Sequence, residues 1–353
     1  MKNRQRMIGL LIGVLGCLPS VLPAQISVIT ITDGSTSVTS TNKVALTPLG
    51  GFDPQDLAID QQLSPGDELT SRSEEMAVVL RCGSDLATAT EMTLSAPFRV
   101  ALLPGDSDTS CAVSLQGGTV DIVAGSPTEI QAGEVTLGSE RTQFGMTVSR
   151  SGSKVNREAF VYEGRASLRR ARRPEVRLSA GNKVAVSRSA SLQPVSIQKA
   201  DIVRAAWLYA RVDLSRSGLE RDQREKSFRD LAQAHAEVLE APDKAEPKVA
   251  LAVARMNLNV AVPSTIQYLS QAENLTSTNR KSLASATYLK GLAYQRLGES
   301  QAASHEFKQA QRVDPAIDEG RISQIYKIDP KVLQRWRAPQ LAPQAPGGLQ
   351  IHQ

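Results

Sequence analysis

Two different hydrophobic periods divide this 353-residue chain. From Gln25 to about Gln193, short apolar runs alternate with polar positions: "ISVITIT", "MAVVLRC", "FRVALL", "CAVSL", "TVDIV", "GEVTL", "FGMTV", "AFVY", "ASLR" and "KVAVS". Alternation of this kind puts every second side chain on one face of a strand. Between the runs stand turn formers such as "DGS", "SPGD", "CGSD", "LPGD", "QGG", "YEGR" and "SAGN". Their close spacing predicts an all-β sandwich or coiled β-roll rather than a parallel sheet with crossover helices. Residues 32–62 are more polar and read as hairpins or loops.

After "LQPVSIQK" the apolar residues fall three and four apart, the spacing of one helix face. Helices are expected over 201–213, 221–240, 248–259, 264–273, 280–297 and 300–313. Pro242, Pro247, Pro263 and Pro315 are placed between them, because proline lacks the N–H that a helix interior needs. The closing "APQLAPQAPGGLQIHQ" is rich in Pro, Gln and Gly and is expected to be disordered. The fold class is therefore multi-domain, an all-β module followed by an all-α array of helical hairpins. The expected division is a signal peptide over 1–24, a β-rich segment over 25–62 and a β domain over 63–193. Helical repeats follow over 199–335, then a tail over 338–353.

Small residues recur in "YLKGLAYQRLGESQAASHEFKQAQRVDP" at Gly291, Ala293, Gly298, Ala303 and Ala310. If two helices fold back at "LGES", such positions let their axes approach closely, while Tyr294 and Phe307 fill the space between layers. Gly298 can end the first helix in the left-handed region, and Asp314–Pro315 stops the second. The stretch resembles a tetratricopeptide repeat, whose roughly 34-residue pattern falls on Gly291, Ala293, Tyr294, Gly298, Ala303, Phe307, Ala310 and Pro315. Thr287 stands at the family's Trp position. "LAVARMNLNVAVPSTIQYLSQAENL" fits as a degenerate second repeat, with Leu269 on Phe307, Ala272 on Ala310 and Val260 in place of the turn glycine. Phe228, Ala232 and Leu239 suggest half of another. One repeat leaves apolar faces uncovered, so several should stack. The resemblance implies a protein or peptide partner on the concave face made by first helices, here Tyr288, Leu292, Gln295 and Arg296.

In the β half, "LSPGDELTSRSEEMAVVLRCGSDL", "TQFGMTVSRSG" and "FVYEGRASL…VRLSAGNKVAV" follow one another in order. This order resembles the FecR domain, an extracytoplasmic β module, over 63–186. Gly66, Gly83 and Gly164 would take positive φ at its tight corners. "SKVNREAF" stands where many members carry Arg-Gly-Thr, so no family ligand is carried over. Well-known members follow a membrane helix and signal to a sigma factor. Here six residues precede the apolar segment, so a secreted or surface-attached relative is expected instead.

Those six residues, "MKNRQR", followed by "MIGLLIGVLGCL" and "VLPAQ", have the three regions of a secretory signal. Cleavage after Ala24, lipidation at Cys17 and an uncleaved anchor are the alternatives, and only the last two imply membrane association. Export places the protein in the periplasm, envelope or surface of a bacterium. The formal charge of +5 falls to about +2 without Lys2, Arg4 and Arg6, which is no nucleic-acid signature. Cys82 and Cys111 then form an even pair in an oxidising compartment. Bonded, they would close a loop of about 30 residues, for roughly 3 kcal/mol; two buried thiols are the alternative.

Aromatic residues make up 4% of the chain, which suits Val/Leu/Ala cores better than an aromatic-lined pocket. His235, His305 and His352 lie far apart, and no Cys-x-x-Cys, nucleophile elbow or phosphate-binding loop occurs. Glu74 and Glu75 read as solvated. No catalytic residue, cofactor or metal is therefore expected. Arg165, Arg169, Arg170, Arg172, Arg173 and Arg177 cluster in "GRASLRRARRPEVR", and their forks suit an anionic envelope polymer. The expected function is a non-enzymatic, exported adaptor; the alternative is an extracytoplasmic sensor acting through a transmembrane partner.

Overall fold

The computed structural model describes residues 25–339, apart from 35, 52, 86–87, 106, 108–109, 140–141, 187–191, 216–220, 261 and 276–278. The expected signal segment with Cys17, and nearly all of the tail with His352, lie outside the described residues. β structure comes first and helices second, as the two periods require.

The spine of the β half is a long hairpin of Thr90–Leu103 and Cys111–Val123. Both strands bend midway, and their register skips between Ser95 and Arg99. On one side of the bend, Thr90–Ser95 pairs with Met76–Cys82, which in turn pairs with Ile26–Asp33. On the other side, Phe98–Ala101 pairs with Glu68–Ser71. The second strand divides likewise. Gly118–Val123 is antiparallel to Gln143–Val148, whereas Cys111–Ser114 runs parallel to Thr128–Gln131. Two strands thus serve two layers, which close over one core including Val28, Leu80, Ile122, Phe144, Leu69, Val113 and Leu168.

This corrects the reading of "QGG" as a break between strands. Gly118 has φ +90, and a Cβ there would stand 2.3 Å from the Pro97 carbonyl oxygen. Glycine lets the strand bend under its neighbour without ending. Residues 25–62 are not a separate layer either, since Ile26 lies opposite both Leu63 and Cys82. Gly66, Gly83 and Gly164 do take positive φ. Cys82 and Cys111 are joined by a disulfide that links the ends of two core strands.

The helices are α1 (Lys199–Ser215), α2 (Arg221–Glu240), α3 (Ala245–Leu258), α4 (Val262–Asn274), α5 (Arg280–Arg296), α6 (Ser300–Val313), α7 (Glu319–Tyr326) and α8 (Pro330–Arg337). Pro247 and Pro263 lie inside α3 and α4 rather than before them. Both sit in the first turn, where the missing N–H has no intrahelical partner to lose. Gly291 packs directly on Phe307: a Cβ there would meet the ring at 2.7 Å. Ala293, Ala303 and Ala310 are buried. Gly298, at φ +84, closes α5 with Gly298 N–H donating to Gln295 O and Glu299 N–H to Tyr294 O. The small residues thus serve close helix approach.

α7 and α8 are the elements that periodicity did not separate. They fold back over α3 and α5, and the buried Trp336 donates its indole N–H to Met256 O at 3.1 Å.

Candidate functional site

The two halves meet along α4. Ser264, Gln267, Tyr268 and Gln271 recur three and four residues apart, so they form one stripe. Ile266, Leu269 and Ala272 form the opposite stripe and enter the helical core. Along the polar stripe, Ser264 Oγ donates to Glu91 at 2.6 Å. Gln267 Nε2 uses both hydrogens on the carbonyls of Ala89 and Val123, at 2.9 and 3.0 Å. Gln143 Nε2 donates to the Tyr268 hydroxyl. The sequence held this signal as four polar residues on one face of an expected helix.

Charged groups reinforce the contact. Lys248 Nζ of α3, 0% exposed, donates to Glu163 of the β half at 2.7 Å. Burial pushes the Glu163 carboxyl up and the Lys248 amine down, each toward its neutral form. Arg211 of α1 donates to the carbonyls of Gly34 and Glu75, and Lys183 pairs with Asp201 at 2.8 Å. Behind this seam, Asp213 Oδ2 accepts from His235 Nε2 at 2.8 Å and Arg255 Nε at 2.7 Å, tying α1, α2 and α3 together. Burial holds His235 below its usual range, so the neutral ring carries its proton on Nε2. The Arg255 guanidinium also lies 4.8 Å from the Tyr268 ring centre.

Where the seam ends, a cleft of about 760 Å³ opens between the modules. Glu163 and Arg165 line its β side; Gln267, Gln271, Glu273 and Lys290 line its helical side. Both amide atoms of Gln271, and Glu273 Oε1, are sealed from solvent without a hydrogen-bond partner among the described residues. Glu273 Oε2 accepts from Lys290, which also lies 3.2 Å from Glu306. A primary amide both donates and accepts, as a peptide group does.

The expected sites fall differently. Leu292 is 0% and Tyr288 7% exposed; both lie in the helical core, with Leu333 and Trp336 of α8. Arg296 Nη1 donates to the carbonyls of Arg335 and Ala338. The face assigned to Tyr288, Leu292, Gln295 and Arg296 is therefore covered by α8 and is not an open concave surface; Gln295 lines a small hollow beside Phe307. The arginine run is also more engaged than an open patch. Arg169 pairs with Glu129, Arg170 with Glu134 at 2.7 Å, and Arg177 stands 4.0 Å from Glu175. Arg172 occupies a left-handed turn position, Arg173 is exposed, and Arg165 reaches the cleft.

On the sheet face below α1, Asp121 is buried and its carboxyl is pushed up to about 6 by burial, against the pull of Arg204. A folded-state value above the ordinary 3.8 means that ionisation costs the folded chain stability, in full above about pH 6 and not at all below 3.8. Asp121→Asn is thus expected to be more stable than the parent at pH 8 by about 2–3 kcal/mol, with the difference vanishing near pH 4. Urea unfolding at the two pH values measures it, and a pH-independent difference contradicts it.

No protein-family model and no curated protein matches the chain. Two crystal structures of a candidate anti-sigma factor from Parabacteroides distasonis share 14% identity with it, with TM-scores of 0.32 and 0.31. The match covers 40% of this chain and 64% and 63% of theirs, so the chain spans less than two thirds of their length.

Proposed function

We propose that this protein is a non-enzymatic recognition scaffold of the bacterial envelope, and that the cleft between its modules docks an extended peptide segment of a protein partner. One observation carries the reading. Three rungs of the α4 polar stripe hold the β half, and the fourth, Gln271, brings an unpaired donor and acceptor to the cleft. An unpaired buried amide costs stability that a bound peptide group would restore. Glu273 and Arg165 add opposite charges at the two walls. The positive-φ corners support a FecR-like β module, and the Gly291–Phe307 packing supports a TPR-like helical array. The Cys82–Cys111 disulfide supports export, since such bonds persist in oxidising compartments.

Gln271→Leu tests the reading, because it removes the amide at nearly constant shape. Folding stability is expected to be unchanged or to rise by about 1 kcal/mol, since no existing hydrogen bond is lost. Peptides selected on the full chain from a random display library are expected to bind the variant about tenfold more weakly or worse. Undiminished binding, or a library that enriches nothing, overturns the proposal.

A further inference from the structure

A second cleft, of about 730 Å³, lies at the bend of the long hairpin, under α1. Three oxygens in its wall are buried without a hydrogen-bond partner among the described residues: Ser71 Oγ, Ser95 Oγ and Asp121 Oδ1. Ser71 is 3% and Asp121 2% exposed, so bulk water does not satisfy them. They come from three strands that the bend brings together, Glu68–Ser71, Thr90–Leu103 and Cys111–Val123. Two guanidinium groups stand over the same space, that of Arg150 exposed and that of Arg204 lying 5.3 Å from the Phe160 ring centre. Arg150 extends from Gln143–Ser151 and has no ion pair among the described residues, and Arg204 extends from α1. A third, Arg99, is held by both oxygens of Glu68.

We propose that this cleft binds an acidic oligosaccharide, with its hydroxyls on Ser71, Ser95 and Asp121 and a carboxylate on Arg150 and Arg204. Serine hydroxyls both donate and accept, and a carboxylate oxygen accepts; sugar hydroxyls complement both. A guanidinium fork matches a carboxylate in two parallel bonds. Peptide addition is disfavoured, because the central strand is paired on both sides over 112–114 and 119–123, and the short stretch between is too brief to seat an added strand. The cleft volume lies in the range of small-molecule sites. The site is separate from the arginine run at 165–177 and from the inter-module cleft.

Calorimetric titration of the full chain with trigalacturonic acid tests it, with galactotriose and triglutamate as controls. Saturable binding is expected for the acidic sugar, weakening with added salt, and about tenfold or more weaker in Arg150→Ala. Arg150 is exposed, so that variant is expected to keep the parent unfolding midpoint. Ser71→Ala should weaken the sugar further, and Gln271→Leu should leave it unchanged, which separates this site from the peptide cleft. Absence of saturable binding through the millimolar range overturns the proposal. Equal affinity for galactotriose, equal affinity for triglutamate, or an unaffected Arg150→Ala variant does so as well.

Discussion

Arg255→Ala is expected to destabilise the fold by about 3–5 kcal/mol. Asp213 is buried, and its Oδ2 receives one bond from Arg255 and one from His235. His235 is held neutral by burial, so Arg255 brings a full positive charge to the carboxylate, at 2.7 Å. Removing it takes a charge-assisted bond from a buried carboxylate and strips a cation from the Tyr268 ring. Asp213→Asn added to Arg255→Ala should recover part of the loss, because the charge that needed balancing is gone. Denaturant unfolding of both variants measures this, and a loss below about 1 kcal/mol for the single variant would contradict the assignment. The same network sets a pH slope. A His value depressed below its ordinary 6.5 contributes stability above 6.5, and that stability is lost as pH falls through it. Asp121 slopes the other way below about pH 6, so His235→Gln should flatten the acid limb while Asp121→Asn steepens it.

Lys248→Ala is the second large effect, also about 3–5 kcal/mol. The amine is wholly buried, and its partner Glu163 sits across the seam between modules. Alanine leaves that carboxylate without a counter-charge. Both groups are already pushed toward neutrality by burial, so the pair itself contributes little net stability. Replacing both, as Lys248→Met with Glu163→Leu, should therefore restore the parent midpoint to within about 1 kcal/mol, or exceed it. If the double variant were as unstable as the single one, the pair would be a strong attraction rather than a charge that needs balancing.

Much of this architecture was legible before any coordinates. The switch from alternation to a three-and-four spacing near residue 199 marks where strands end and α1 begins. Gly298 as the close of α5, and a close α5–α6 approach through small residues, follow from the pattern, whereas the seating of the Phe307 ring on Gly291 itself does not. What escaped was what depends on partners distant in sequence. α7 and α8 have eight residues each, too few turns for a hydrophobic period to stand out, although Asp318 and Asp329 cap both. Missing them left Tyr288 and Leu292 looking exposed. The α4 stripe was visible as Ser264, Gln267, Tyr268 and Gln271, but a polar stripe against a buried sheet reads the same as one against water. "QGG" was read as an ending because glycines end strands more often than they bend them.

A preformed cleft requires the two modules to behave as one body, joined by the Lys248–Glu163 pair and the α4 stripe. Both tryptophans, Trp207 and Trp336, lie in the helical half, so tryptophan fluorescence follows that half alone during urea unfolding. Amide hydrogen exchange of peptides from the β half follows the strands across the same urea series. One cooperative unit should give coincident midpoints and a single slope by both probes, and Lys248→Ala should shift both together. Separate midpoints, with the helical signal lost while the β signal persists, would contradict the locked seam and with it the preformed cleft.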